Sequence, residues 1–196
     1  MQITDLSTLL IEKRRLPNWD SCRIGEMSPA ALIHEIEERF DLMKKARRTL
    51  RKAKPSSGPE DVTLALIRIG DLVEPKPYKV LGMHGFETGT SCPSDLAFDA
   101  EYLRLWSEAN LDRQTIELCP LETAAYLRLT HLEQPKGADI PIASALFEAG
   151  DSSFAQVFVI GRRRTGGRYL GTTAAGPRVS WFPDATLIYR LHNLPA

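Results

Sequence analysis

The sequence predicts an α+β protein in which N-terminal helices are followed by a C-terminal antiparallel β meander. Three observations support this fold class. Apolar residues recur at three- and four-residue steps across residues 28–54, which is the period of an amphipathic helix. Helical apolar patterns recur within residues 94–134. From residue 140 onward, short runs of β-forming residues alternate with glycine and proline, as strands alternate with turns.

The helix predicted over residues 28–54 has the strongest local signals. Ser28 suits the N-cap position and Pro29 suits the first helical position. Acidic residues lie in its first half and basic residues near its end, which complements the helix macrodipole. A shorter helix is predicted before it, at residues 4–10, and the Pro-Ser-Ser-Gly-Pro segment at residues 55–59 forms a flexible joint after it.

Residues 60–73 fit two structures. Apolar residues recur there at helical spacing, whereas Val62, Leu64 and Leu66 alternate as they would in a strand. A helix is favoured because a Pro-Glu-Asp sequence at the start of the segment is a helix-start signature. The strand remains the alternative. A separate strand is predicted at residues 78–83.

The second half of the chain is predicted to change from helices to strands. Ser94 caps one helix and Pro120 opens another within residues 94–134. Strands are predicted at residues 142–148, 154–160, 168–170, 178–182 and 186–191. We therefore divide the chain into an N-terminal helical segment, residues 1–56, and an α+β body, residues 57–196, with one single domain overall as the alternative.

Basic and acidic residues are equal in number but unequally placed. The chain has 25 of each: residues 1–60 carry 12 basic and 9 acidic, residues 61–150 carry 7 and 14, and residues 151–196 carry 6 and 2. This separation points to a polyanion or a charged protein surface as partner. No acid follows Asp41 in the long predicted helix, whereas a merely solvated helix face usually interleaves acids. The basic residues at its end are Lys44, Lys45, Arg47, Arg48, Arg51, Lys52 and Lys54.

A glycine- and arginine-rich loop at residues 161–168 forms a second basic cluster. It lacks the Lys and the Ser or Thr that a P-loop needs after its second glycine, so an NTPase is rejected. Glycines let the backbone approach phosphates and arginines donate forked hydrogen bonds to them, which predicts a nucleic-acid contact; a solvated hairpin turn is the alternative. The predicted contact residues are Arg162, Arg163, Arg164, Arg168 and Tyr169. The rings of Tyr169, Trp181 and Tyr189 would stack on unpaired bases if they face outward.

Enzyme chemistry has one candidate site in the sequence. His84, Glu87 and Cys92 share a predicted loop over residues 82–93, where a thiol and a base would form a nucleophilic pair if the loop folds back. The common nucleophile, metal and dinucleotide motifs are absent, so a non-enzymatic protein is favoured, with no cofactor and no metal. Three dispersed cysteines are also too few for a disulfide framework or a zinc site.

The sequence also bears on localisation. No apolar run approaches the roughly 20 residues that a membrane span needs. Residues 1–15 contain the acidic residues Asp5 and Glu12, and no small-residue cleavage site follows an apolar core there. A secretory signal is therefore not predicted. These features predict a cytoplasmic protein without a membrane partner.

The leading hypothesis for function is a non-enzymatic protein that binds DNA or RNA, or that belongs to a nucleoprotein complex. The basic end of the predicted helix and the arginine-rich loop would contact phosphates. The first alternative is a protein-binding adaptor or inhibitor, for example of a mobile element or defence system, that uses the same charges against an acidic protein surface. The second alternative is an enzyme that acts through residues 82–93.

Overall fold

The protein is described by a computed structural model over residues 13–54, 56–82, 85–148, 154–177 and 179–195. Within these ranges, five helices and eleven strands alternate along the chain, and strands (36%) exceed helices (28%). The fold is therefore mixed α/β with interleaved elements. The predicted order, helices first and a meander last, is wrong. The helix predicted at residues 4–10 lies outside the described residues.

The elements follow one another in this order. The helices are α1 (Pro29–Arg39), α2 (Lys44–Lys52), α3 (Ile69–Leu72), α4 (Ala100–Asn110) and α5 (Thr123–Thr130), with a 3₁₀ turn at Leu96–Phe98. The strands are β1 (Asp20–Ile24), β2 (Asp41–Leu42), β3 (Glu60–Arg68), β4 (Lys76–Gly82), β5 (Gly85–Pro93), β6 (Gln114–Glu117), β7 (Asp139–Pro141), β8 (Gln156–Arg162), β9 (Arg168–Ala174), β10 (Ser180–Trp181) and β11 (Thr186–Asn193). No helix in the described part of the chain is long and apolar enough to cross a bilayer.

The strands form three sheets. Their orders are β1-β3-β11-β6, β10-β5-β4 and β2-β9-β8-β7. Within these sheets only β2 pairs in parallel, against β9, and the other neighbours are antiparallel. The C-terminal strands are therefore shared among three sheets, because β10 joins β5 and β11 inserts between β3 and β6.

The long helix predicted over residues 28–54 is broken in two. Ser28 caps α1 as predicted, with its side-chain oxygen accepting from the Ala31 amide. At Phe40 the backbone becomes extended, and β2 pairs with β9, Asp41 opposite Tyr169. Helical periodicity continues through this region of the sequence, but pairing with a strand more than a hundred residues away overrides local propensity. Helix α2 is therefore a separate element with its own N-terminus.

Residues 60–68 form strand β3, so the helix favoured there is wrong. Val62 and Leu64 belong to one buried apolar cluster, whereas Ala65 and Ile67 belong to another. A strand that is buried on both faces has apolar residues at nearly every position instead of every second one. Some of these residues then fall at three- and four-residue steps, as they would in a helix. The predicted loop at residues 82–93 is also mostly strand, because β5 pairs with β4 as a hairpin.

Two apolar clusters form the core and share strands. The first includes Leu32, Ile36, Leu50, Val62, Leu64, Leu127, Phe158, Ile160 and Leu170. The second includes Ala65, Ile67, Leu103, Ile116, Val157, Leu187, Tyr189 and Leu191. Neighbouring residues of β8 and of β11 enter different clusters, which is the two-residue period of a strand covered on both faces. Helices α1, α2 and α5 contribute to the first cluster, which fixes α2 to the body.

Candidate nucleic-acid interface

Helix α2 presents a dense array of exposed cations. Ala46 and Leu50 face the core and are almost completely buried. The seven basic residues predicted as contacts, Lys44, Lys45, Arg47, Arg48, Arg51, Lys52 and Lys54, are all exposed. The helix therefore buries one narrow apolar seam, and every other residue of α2 except Thr49 is cationic.

The helix macrodipole favours Arg51 and Lys52 in the last turn of α2, but it does not account for the positive charge at the start of the helix. The helical conformation is interrupted between Arg39 and Lys44. Lys44 and Lys45 therefore lie in the first turn of a new helix, α2, where the macrodipole disfavours positive charge. This first turn has no acidic residue and no side-chain cap. Arg47 pairs with Glu37, 3.0 Å between Nε and Oε1, and within the described residues the other six cations have no ion-pair partner.

Strand β2 joins α2 to the arginine-rich hairpin. Asp41 and Leu42 pair in parallel with Tyr169 and Leu170 of β9. The Met43 amide then donates to the Leu170 carbonyl at 3.0 Å, and α2 begins at the next residue. Two basic clusters that are separated by more than a hundred residues in the sequence are thus anchored to neighbouring positions of one sheet edge.

Residues 163–167 form the turn of a hairpin between β8 and β9, a geometry that is compatible with both the predicted contact and its solvated alternative. The Arg163 amide donates to the Gly167 carbonyl at 2.7 Å, and the Gly166 amide donates back to Arg163 at 2.8 Å. Gly166 has φ of +103°, a conformation that side chains with a Cβ rarely adopt. At the tip, Arg163 and Arg164 are exposed, so their guanidinium groups are available to a ligand.

The four hairpin arginines differ in how firmly they are held. Arg162 donates to the Gln134 carbonyl at 2.8 Å, and Arg168 donates to the Leu132 carbonyl at 2.8 Å. Both are partly buried. Arg163 pairs with Asp41 at 3.3 Å, and Arg164 has no ion-pair partner among the described residues. Arg162 and Arg168 thus anchor the hairpin, while Arg163 and Arg164 lie at its tip.

The aromatic residues predicted to stack on bases are mostly occupied. Tyr169 donates its hydroxyl hydrogen bond to Asp139, and the Arg163 guanidinium lies 5.6 Å from its ring centre. Burial and the neighbouring Asp139 raise the pKa of Tyr169. Tyr189 is completely buried, and the half-buried Trp181 donates to the Ala174 carbonyl at 3.3 Å. Contacts through phosphates therefore suit this surface better than base stacking does.

The candidate catalytic thiol is buried. Cys92 has no exposed surface, its sulfur lies 3.4 Å from the Val73 carbonyl, and burial raises its pKa. A nucleophilic cysteine needs a thiolate and access to substrate. His84 lies outside the described residues, and nothing is described of the Glu87 side chain. The geometry around Cys92 is that of a structural thiol.

We expect all three thiols to resist modification in the native state. Cys22 and Cys119 are also buried, and burial together with Asp20 raises the pKa of Cys22 to about 12. Reaction with a colorimetric disulfide reagent at pH 8 should be at least about a hundredfold slower in the folded protein than in urea. One thiol that reacts rapidly in the folded state, and is lost in Cys92→Ser, would revive the enzyme alternative.

Sequence reasoning did not single out Arg128, which is completely buried in α5. Its Nη1 donates to the Gln134 side-chain oxygen at 3.0 Å and lies 3.4 Å from the Gly161 carbonyl. Its guanidinium carbon is 5.2 Å from the centre of the Phe40 ring. The only signal in the sequence is a charged residue within the apolar pattern of a short helix.

Comparison with known proteins assigns no family to this chain. No protein-family model matches it, and neither a curated protein nor a solved structure matches it.

Proposed function

We propose that this protein binds nucleic acid, alone or within a nucleoprotein complex, through a composite basic surface. The surface consists of the exposed cations of α2 and the arginines at the tip of the β8–β9 hairpin. It contacts the phosphate backbone and carries out no reaction. We further propose a cytoplasmic location, which suits a chain with three free cysteines.

The observation that supports this proposal most directly is the set of cations on α2 that are unpaired within the described residues, with α2 held beside β9. Six cations on and just after α2 lack a carboxylate partner among the described residues, and the helix dipole disfavours the first two of them. Such an arrangement is destabilised by mutual repulsion, which an anionic ligand would relieve. Regular phosphates along a backbone offer the repeated negative charge that such a surface requires.

A binding assay with matched variants tests the proposal. Fluorescent single- and double-stranded DNA and RNA are titrated with the protein at 50 and 200 mM salt. We expect the logarithm of the association constant to fall linearly with the logarithm of the salt concentration. A helix variant, Lys44→Gln, Lys45→Gln, Arg48→Gln and Lys52→Gln, is expected to lose about a hundredfold in affinity, because four phosphate contacts disappear.

The control removes the same net charge elsewhere. Arg23→Gln, Arg68→Gln, Lys76→Gln and Arg104→Gln change four exposed cations, of which the three arginines are paired with acids. This variant should keep most of the affinity. Equal losses in both variants would show attraction by net charge alone. The absence of binding at 50 mM salt would overturn the proposal and direct attention to the adaptor alternative, for which capture of one acidic partner protein is expected.

A further inference from the structure

Four arginines converge on one short stretch of backbone. Residues 129–134 include the end of α5 and the turn that follows it, and their carbonyl groups accept hydrogen bonds from guanidinium groups of four different elements. The donors are Arg39 of α1 to Leu129 (3.4 Å), Arg128 of α5 to His131, Arg162 of β8 to Gln134 (2.8 Å) and Arg168 of β9 to Leu132 (2.8 Å). We call these four residues the arginine cluster.

The positive charge of the arginine cluster is incompletely balanced. A helix C-terminus supplies about half a negative charge. Among the described residues, Glu35 pairs with Arg39 at 3.4 Å, and the other three arginines have no carboxylate within ion-pair distance. Asp20 lies nearby but pairs with the His131 ring at 2.9 Å. Even if both acids are counted, more than one positive charge remains on the four guanidinium groups.

Arg128 makes this imbalance costly. It has no exposed surface, and its Nε has no hydrogen-bond partner in the part of the chain that the structure describes. Burial, together with the positive charge of Arg168, lowers the pKa of Arg128 to about 10. Burial of a cation without a counter-charge is strongly unfavourable unless other groups compensate. Carbonyl oxygens and the Phe40 ring provide part of that compensation.

We infer that the arginine cluster is a phosphate-binding site, formed by the exposed Arg39 and the partly exposed Arg162 and Arg168 together with the buried charge of Arg128. Among the described residues, Arg168 makes a hydrogen bond only through its Nε, which leaves both of its Nη groups for a ligand. Arginine is suited to this role because its planar guanidinium donates two parallel hydrogen bonds to phosphate oxygens. The source of the phosphate, taken here as a nucleic-acid backbone, rests on the function proposed above.

Thermal unfolding in the presence of inorganic phosphate tests this inference. The wild-type protein is heated in sodium phosphate or in sodium chloride of equal ionic strength at pH 7.5. We expect a saturable rise in Tm with phosphate, roughly 4 °C at ten times the dissociation constant. Arg168→Gln and Arg39→Gln should each lose most of this rise, whereas Arg68→Gln, which removes a cation paired with Asp71, should keep it.

A fallback comparison and one further measurement complete the test. If Arg168→Gln does not fold, Arg39→Gln provides the comparison, since the Arg39 side chain is 43% exposed and its partners among the described residues are Glu35, the Leu129 carbonyl and the Phe40 ring. An equal rise in Tm in chloride, or in both cluster variants, would overturn the inference even if nucleic acid still binds at α2. Calorimetric titration of phosphate with a bound oligonucleotide present then identifies the source. If the oligonucleotide weakens phosphate binding at least tenfold, the site binds the phosphates of the nucleic-acid backbone. If phosphate binding is unchanged, the site binds free phosphate.

Discussion

Phe158→Ala is expected to destabilise the protein by about 3–5 kcal/mol. Phe158 lies in β8, is completely buried, and packs with its ring centre 4.9 Å from that of Phe147. Truncation removes apolar contacts and leaves a cavity that close-packed neighbours fill only in part. Urea denaturation monitored by circular dichroism should show a lower midpoint with an unchanged slope. A loss of this size equals a large share of the stability of a typical domain.

Phe182→Ala provides the matched control for this experiment. The same chemical change occurs there at a side chain that is 66% exposed, so the unfolding free energy should move by less than about 0.5 kcal/mol. Similar losses at both positions would contradict the packing of β8 at the centre of the core. A loss confined to Phe158 would support it.

The sequence anticipates β8 well because residues 157–160 are four consecutive apolar residues, all buried, and such a run between turn signals has few alternatives. The same logic fails for β3. Burial on both faces gives it an apolar pattern that a helix fits equally well, and only its pairing with β1 and β11 decides the outcome. Sequence patterns report which residues are buried more reliably than they report which partner buries them.

The break between α1 and α2 illustrates what local patterns miss. Phe40 and Met43 continue the apolar spacing of a helix, but the backbone at Leu42 and Met43 pairs with Leu170 of β9 instead. The sequence shows the basic residues of the site but places Lys44 and Lys45 deep inside a helix, where the dipole explains part of their charge. In the folded protein these lysines open a helix, and this difference strengthens the case for an anionic ligand.

The role of the hairpin arginines could be predicted only in part. Composition identifies Arg162, Arg163, Arg164 and Arg168 as one group, yet the fold separates two anchoring residues from two at the tip. The distinction depends on carbonyl groups of residues 132 and 134, which lie about thirty residues earlier in the chain. Replacement of all four arginines would therefore disturb the hairpin together with any ligand contact, so the variant that tests the hairpin tip is confined to Arg163 and Arg164.

The combined loss of helix and hairpin cations is expected to reduce nucleic-acid affinity by about a thousandfold. The variant adds Arg163→Gln and Arg164→Gln to the four substitutions in α2. About six phosphate contacts would disappear, and for single strands the salt slope should become shallower by about 0.7 per contact. Binding of a 12-nucleotide strand, measured by fluorescence anisotropy from 50 to 300 mM salt, reports both quantities.

A hairpin variant that carries only Arg163→Gln and Arg164→Gln tests whether α2 and the hairpin form one composite surface. If α2 and the hairpin contact one strand, the two sets of substitutions should add in the logarithm of affinity and in the salt slope, because their contacts are independent. If α2 alone binds, Arg163→Gln with Arg164→Gln should leave both quantities at the wild-type level. The second result would confine the interface to α2 and separate it from the sheet edge that β2 and β9 form. Additivity would instead make the short β2–β9 pairing the element that gives this protein its binding surface, since that pairing holds α2 beside the hairpin.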